Sequence, residues 1–250
     1  MVENSENPYE ITHPLIMLCE GDSDYSFFEK LCQERGIFEF DTPFQKRLKD
    51  DDGNEIKGDS RFGDMLKFLA PTIKSSFSVS VTGIIIAVDC GDAWQKSFRN
   101  VARQIEKAEI EGQRLYPRPE APLAPVAATV SGLPPLVIVM VPGEDKKSGL
   151  ESLCVDVLRE KHPNPAACLE DYLACLDGKG VGIKKWTAEK QGKAWVQCLI
   201  AATSRDEPNR AFTKLFKRNK KKPPLIDVSH PAFDTLAADL KTAVAALSGD

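Results

Sequence analysis

No apolar run in this chain approaches the about 20 residues that a membrane-spanning helix needs. The first residues, Met1-Val2-Glu3-Asn4-Ser5-Glu6, are acidic and polar, unlike a secretory signal. These two absences predict a cytoplasmic protein with no membrane partner. Cysteine is scarce in pattern, not in number. The seven are an odd count, contain no Cys-x-x-Cys pair, and several sit inside apolar patterns, where a thiol acts as a small hydrophobe. Neither a disulfide framework nor a zinc site is indicated. His13, His162 and His230 are isolated and near proline, so they read as loop residues and provide no Ser–His or Cys–His pair. A Walker A loop is missing as well. Gly143-Glu144-Asp145-Lys146-Lys147-Ser148 has a Lys-Ser pair without the glycine framework. Gly178-Lys179-Gly180-Val181-Gly182 follows no strand and reads as a flexible turn. ATP hydrolysis by this chain alone is therefore not expected. A net charge of −4 argues against a protein that simply coats nucleic acid.

What is present is an ordinary globular composition, 42% apolar and 28% charged over 250 residues, enough to bury a real core. Within it, Leu15-Ile16-Met17-Leu18-Cys19 runs into Glu20-Gly21-Asp22-Ser23-Asp24. A short apolar run closed by a tight turn reads as a buried parallel strand feeding a helix. Gly83-Ile84-Ile85-Ile86-Ala87-Val88 repeats the arrangement and ends on Asp89-Cys90-Gly91-Asp92. Ligands of open α/β sheets sit beyond the carboxyl ends of the strands, so Glu20 and Asp89 stand where chemistry is expected. Clustered carboxylates repel unless a cation offsets them, and hard oxygens suit Mg²⁺ or Mn²⁺. The competing reading is that these acids only favour the starts of the following helices.

The spacing predicts further elements. A helix from Ser23 to Arg35 uses Phe27, Phe28, Leu31 and Cys32 and stops at Gly36. Ile37–Phe40 is a short strand candidate and 41–58 a surface loop. A helix beginning near Asp59 or Ser60 uses Phe62, Met65, Leu66 and Leu69. Another is expected from about Ala93 to Arg114. Residues 116–135, rich in Pro and Ala, read as an extended or mobile connection. Leu136–Val141 is a third buried strand and Ser148–Lys161 a helix. Ser148-x-x-Glu151 matches a capping box. Beyond Pro163 the pattern turns helical, over about 164–176, 187–204, 208–218 and 230–248. Alternating strands and helices imply a parallel α/β sheet with right-handed crossovers. The expected organisation is an α/β domain over 1–162 and a helical extension over 163–250 packed upon it.

Glu20-Gly21-x-x-Asp24, with Val88-Asp89-x-x-Asp92 farther on, resembles the TOPRIM domain of topoisomerases, bacterial primases, small RNA-maturing nucleases and the OLD (overcoming lysogenization defect) nucleases. Val139-Met140-Val141-Pro142 followed by Ser148-Gly149-Leu150-Glu151 adds a third motif, similar to an uncharacterised stand-alone TOPRIM subfamily. The likeness covers about residues 14–160. It implies a TOPRIM-like α/β fold and a Mg²⁺- or Mn²⁺-dependent nuclease. The implied metal ligands are Glu20, Asp24, Asp89, Asp92 and Glu151, with Glu144 and Asp145 in reserve. Glu20 and Asp89 would act in catalysis, and Lys193 would be the nearby lysine that such nucleases use. Lys146, Lys147, Lys184 and Lys185 are alternatives. The second motif has one residue more than the usual Asp-x-Asp, which favours a second reading. In it the chain is a degenerate binding or regulatory module acting with a partner ATPase, as in some phage-defence complexes. No tyrosine stands at a topoisomerase nucleophile position, and no zinc module accompanies the domain as in primases. Self-association is left open.

Lys214-Leu215-Phe216-Lys217-Arg218-Asn219-Lys220-Lys221-Lys222 is strongly basic. It reads as a phosphate grip or as a solvated helix end. If Lys217, Arg218, Lys220, Lys221 and Lys222 hold phosphates, changing three of them to Gln weakens binding equally for every nucleic-acid sequence. The salt dependence then flattens by about one unit per lost contact. A salt titration of oligonucleotide anisotropy measures both.

Overall fold

Three apolar runs become three central strands in the computed structural model, which describes residues 10–42, 61–76, 78–143, 149–204, 212–216 and 224–249. β1 is Leu15–Leu18, β2 is Gly83–Asp89 and β5 is Leu136–Val141. They pair in parallel in the order β1-β2-β5. Leu18 lies opposite Ile86 and Asp89 opposite Val141, so all three strands deliver their following residues to one edge.

Side chains alternate across a strand, and here both faces are apolar. Met17, Ile85, Ala87, Val137 and Val139 point into one core. That core is shared with α1 (Asp22–Arg35), α4 (Leu150–Lys161), α6 (Ala188–Thr203) and α7 (Asp234–Ser248). Ile16, Leu18, Ile84, Ile86, Val88 and Ile138 point into the other, against α2 (Phe62–Ser75) and α3 (Trp94–Lys107). The fold is thus α/β, a three-stranded parallel sheet between helices. The expected apolar sets of α1 and α2 are the residues they bury. α5 (Pro163–Leu176) packs on α4 and α6, outside the sheet layer.

The sheet's edges are covered by irregular backbone. Ile37–Phe40 forms no strand. A single parallel bridge joins Asp41 to Ile16, with Asp41 N–H donating to the Leu15 carbonyl at 2.9 Å and Met17 N–H to that of Asp41 at 2.9 Å. On the far side the Pro/Ala-rich connection is extended and tied down. Val126 and Leu136 exchange both backbone hydrogen bonds (2.8 and 3.0 Å), and the buried Tyr116 hydroxyl donates to the Pro134 carbonyl at 2.8 Å. Its prolines cannot donate to a ladder, which suits an edge.

Other expectations need correction. The helix expected to run to Arg114 stops at Lys107. A hairpin follows, β3 (Glu109–Ile110) and β4 (Gln113–Arg114). Glu111 (φ 53°) and Gly112 (φ 76°) both take the left-handed region that a two-residue hairpin turn requires. The helix expected over 208–218 is, within the described residues, only a 3-10 turn at Phe212–Lys214. The glycine-rich turn forms a wide helical turn, Asp177–Val181, in which Gly180 has φ 89°. α4 begins at Leu150 with Gly149 as its cap, one residue later than the Ser148 cap expected. Ser148 lies outside the described residues, as do Glu144, Asp145, Lys146, Lys147 and the basic positions Lys217, Arg218, Lys220, Lys221 and Lys222. Among the described residues no helix is long and apolar enough to cross a membrane.

Residues beyond 163 contribute to the same core as β1 and β2. Phe27 of α1 lies with its ring 5.2 Å from Phe216 and 5.3 Å from Phe233, and it is fully buried. Phe27→Ala is expected to cost about 3–5 kcal/mol by leaving a cavity. Unfolding of the wild type in urea should be one transition, because the ring joins both halves of the chain. Two separated transitions would show that the halves fold independently.

Candidate functional site

β1 and β2 end side by side, and their register sets the site. Glu20 stands two residues past the end of β1, and its Oε1 accepts from the Asp89 backbone N–H at 3.3 Å. The loop after β2 is held to β5: Cys90 N–H donates to the Val141 carbonyl at 2.7 Å and its thiol to that of Gly143 at 3.2 Å. This fixes where the Asp89 side chain leaves the strand.

The Asp89 carboxylate lies against the start of α4. A Cβ on Gly149 would stand 2.6 Å from Asp89 Cγ and 2.9 Å from Oδ1, so any larger residue would force the carboxylate to shift. An anion at a helix N-terminus meets the positive end of the helix dipole. Gly21 opens α1 in the same way. Its N–H donates to Asp24 Oδ2 at 2.9 Å, the third helical residue reaching back to the cap. Glu151 lies in the first turn of α4 and is buried. Its Oε1 is 3.7 Å from Lys193 Nζ of α6. Gly192 packs closely beside it: a Cβ there would meet the Glu151 Cβ at 3.3 Å.

The structure therefore gathers Glu20, Asp24, Asp89, Glu151 and Lys193 from two strand ends and three helices. Asp92 is turned elsewhere. Gly91 takes φ 57°, and Asp92 Oδ1 accepts from Ala188 N–H at 3.2 Å, at the first turn of α6. The extra residue in Asp89-Cys90-Gly91-Asp92 carries this side chain past the other acids to a helix N-terminus. Arg61 went unnoticed in the sequence. Its Nη2 donates to the Glu20 carbonyl at 2.6 Å, and its charge reaches Asp22, Glu20 and Asp24. Nothing in its polar surroundings signalled this.

Electrostatics follow from the crowding. Burial, then the Glu151 carboxylate, raises Asp24 to about 6, against the opposing pull of the Gly21 N–H, Lys193 and Arg61. Burial pushes the Cys19 thiol well up, and Asp24, Asp89 and Glu20 add to it. Cys19 is thus no nucleophile.

Among the described residues, no group of three His, Cys, Asp or Glu side chains is arranged to hold a metal ion as it stands. The donors nonetheless fit a hard divalent cation in kind. All are carboxylate oxygens, and Asp24 is raised by burial first and by the neighbouring Glu151 carboxylate second. Glu20 and Asp24 each accept a backbone N–H through one carboxylate oxygen, Oε1 and Oδ2.

The chain belongs to the family described as "Protein of unknown function (DUF3226)", which matches residues 14–244. No curated protein and no solved structure matches it.

Asp24 gives a pH test. Its folded pKa lies above its ordinary value, so its contribution to stability is full below about pH 4 and is lost as pH rises through about 6. Asn keeps the acceptor for Gly21 N–H but carries no charge. Asp24→Asn should therefore gain stability on the wild type between pH 4 and 6 and hold the gain above 6. Melting temperatures measured across that range check this; parallel curves would refute it.

Proposed function

We propose that this protein is a divalent-metal-dependent phosphodiesterase acting on nucleic acid, a nuclease of TOPRIM type. The observation that supports the reading best is the convergence of Glu20, Asp24, Asp89 and Glu151 at one sheet edge with Lys193 beside them. Glu20, Asp89 and Glu151, with Asp24, would hold Mg²⁺ or Mn²⁺. Bound there, the ion would make water more acidic and offset charge developing on the phosphoryl oxygens.

The chain's own groups have separate tasks. Glu20, half-buried just past the end of β1, would take a proton from an approaching water. Lys193, half exposed, can donate to a phosphate oxygen while its Glu151 partner keeps it aimed. Arg61 holds the Glu20 backbone and lowers the repulsion among the acids. The helix starts at Gly21 and Gly149 present positive dipole ends to the same place.

A second reading is favoured by Asp92. With that carboxylate engaged at the start of α6, the site is one acid short of the set the motif implies. A chain so altered would act as a binding module beside a partner ATPase.

Two measurements separate the readings. A ligand that binds the native state must raise its stability, so millimolar Mn²⁺ should raise the melting temperature of the wild type. Glu20→Gln should abolish Mn²⁺-dependent cleavage of an oligonucleotide while the fold is kept, because an amide ligates poorly and takes no proton. No thermal shift and no cleavage would favour the binding module. Equal cleavage by wild type and Glu20→Gln would move catalysis to another residue.

A further inference from the structure

We propose that the solvent face of α3 is a docking surface for the sugar-phosphate backbone of a nucleic acid. Its orientation toward the carboxylates rests on the phosphodiesterase reading; the surface itself does not. α3 buries Phe98, Val101, Ala102 and Ile105. The opposite face carries Lys96, Arg99, Arg103 and Lys107, at intervals of three and four residues that bring them into one stripe. All four are exposed. Among the described residues none of the four is in an ion pair. On a chain of net charge −4, such a row is a local concentration and not a reflection of composition. Glu106, the acid nearest on the helix, faces Arg114 and Arg118 at 4.0 Å each, which adds two exposed cations beyond the helix end.

Position gives the stripe its meaning. α3 directly follows β2, so its first turn stands at the edge that carries Asp89. A cleft of about 450 Å³ opens there, lined by Asp92, Ala93, Lys96, Ser97, Asn100 and Arg103. From Lys96 to Lys107 the helix rises about 16 Å, the axial length of about five phosphates along one strand of a duplex. The stripe offers no apolar or aromatic anchor of the kind that a protein partner's hot spot uses. Regularly spaced cations without such an anchor suit a repeating polyanion.

The test uses the full chain in EDTA, so that binding is read without cleavage. A fluorescein-labelled oligonucleotide, single-stranded and as duplex, is titrated against the wild type and against Lys96→Gln/Arg99→Gln/Arg103→Gln/Lys107→Gln, at several NaCl concentrations. The variant should bind at least about tenfold more weakly at low salt. Its slope of log affinity against log salt should flatten by about 0.7–0.9 per lost phosphate contact. Its melting temperature should not change, because the four side chains are exposed. The form that loses more affinity, single strand or duplex, is the one the stripe tracks. Unchanged affinity and slope overturn the proposal. So does displacement of the oligonucleotide by polyglutamate at matched charge, which would assign the stripe to an acidic protein. A wild type that binds through the stripe in EDTA yet fails to cleave in Mn²⁺ supports this surface and sinks only the phosphodiesterase reading.

Discussion

The parallel pairing of β1 with β2 is the constraint on which the rest of this site depends. It ends two buried strands at the same edge and puts Glu20 where its carboxylate accepts the Asp89 backbone N–H. Two acids brought together in this way repel, and the surrounding elements are arranged to tolerate it. The Gly21 N–H at the start of α1 donates to Asp24, the start of α4 lies against the Asp89 carboxylate, Arg61 binds the Glu20 carbonyl, and Lys193 faces Glu151. Each of these is a modest interaction, roughly 1 kcal/mol or less at a partly exposed site. The site is therefore held by the strand register more than by its ion pairs.

Two glycines make the close approaches possible. Gly149 lets the start of α4 lie on the Asp89 carboxylate, and Gly192 lets α6 settle on Glu151. Both contacts bring a helix glycine against an acid of the edge, so both positions tie the packing of the helical half of the chain to the geometry of the edge. The residual strain is electrostatic. Asp24 rises to about 6 because burial and Glu151 disfavour its charge more than Lys193, Arg61 and the Gly21 N–H favour it. A divalent cation would reverse that balance.

Much of the edge was legible in the chain. Apolar runs of strand length with a carboxylate immediately beyond them marked Glu20 and Asp89, because period and length distinguish buried strands and strands end where ligands bind. The three- and four-residue spacing of Phe27, Phe28, Leu31 and Cys32 marked the buried face of α1. The hairpin at Glu109–Arg114 was hidden, because Glu111 is no obvious left-handed residue and the flanking residues continue a helical composition. The tethering of residues 116–135 was hidden too, since a strand edge is completed by whichever segment reaches it.

By itself, then, the sequence determined the parallel α/β plan, the two strand-end acids and the apolar faces of the helices, because these follow from local periodicity. It also held the α3 stripe in plain spacing, although only the helix's placement at the Asp89 edge gives it a direction. Tertiary structure alone decided that Lys193 meets Glu151, that Arg61 reaches Glu20, and that Asp92 turns to the start of α6. These pairs are 42, 41 and 96 positions apart. No local rule connects residues at such separations; the contacts exist only because the sheet and its helix layers bring distant turns to one edge.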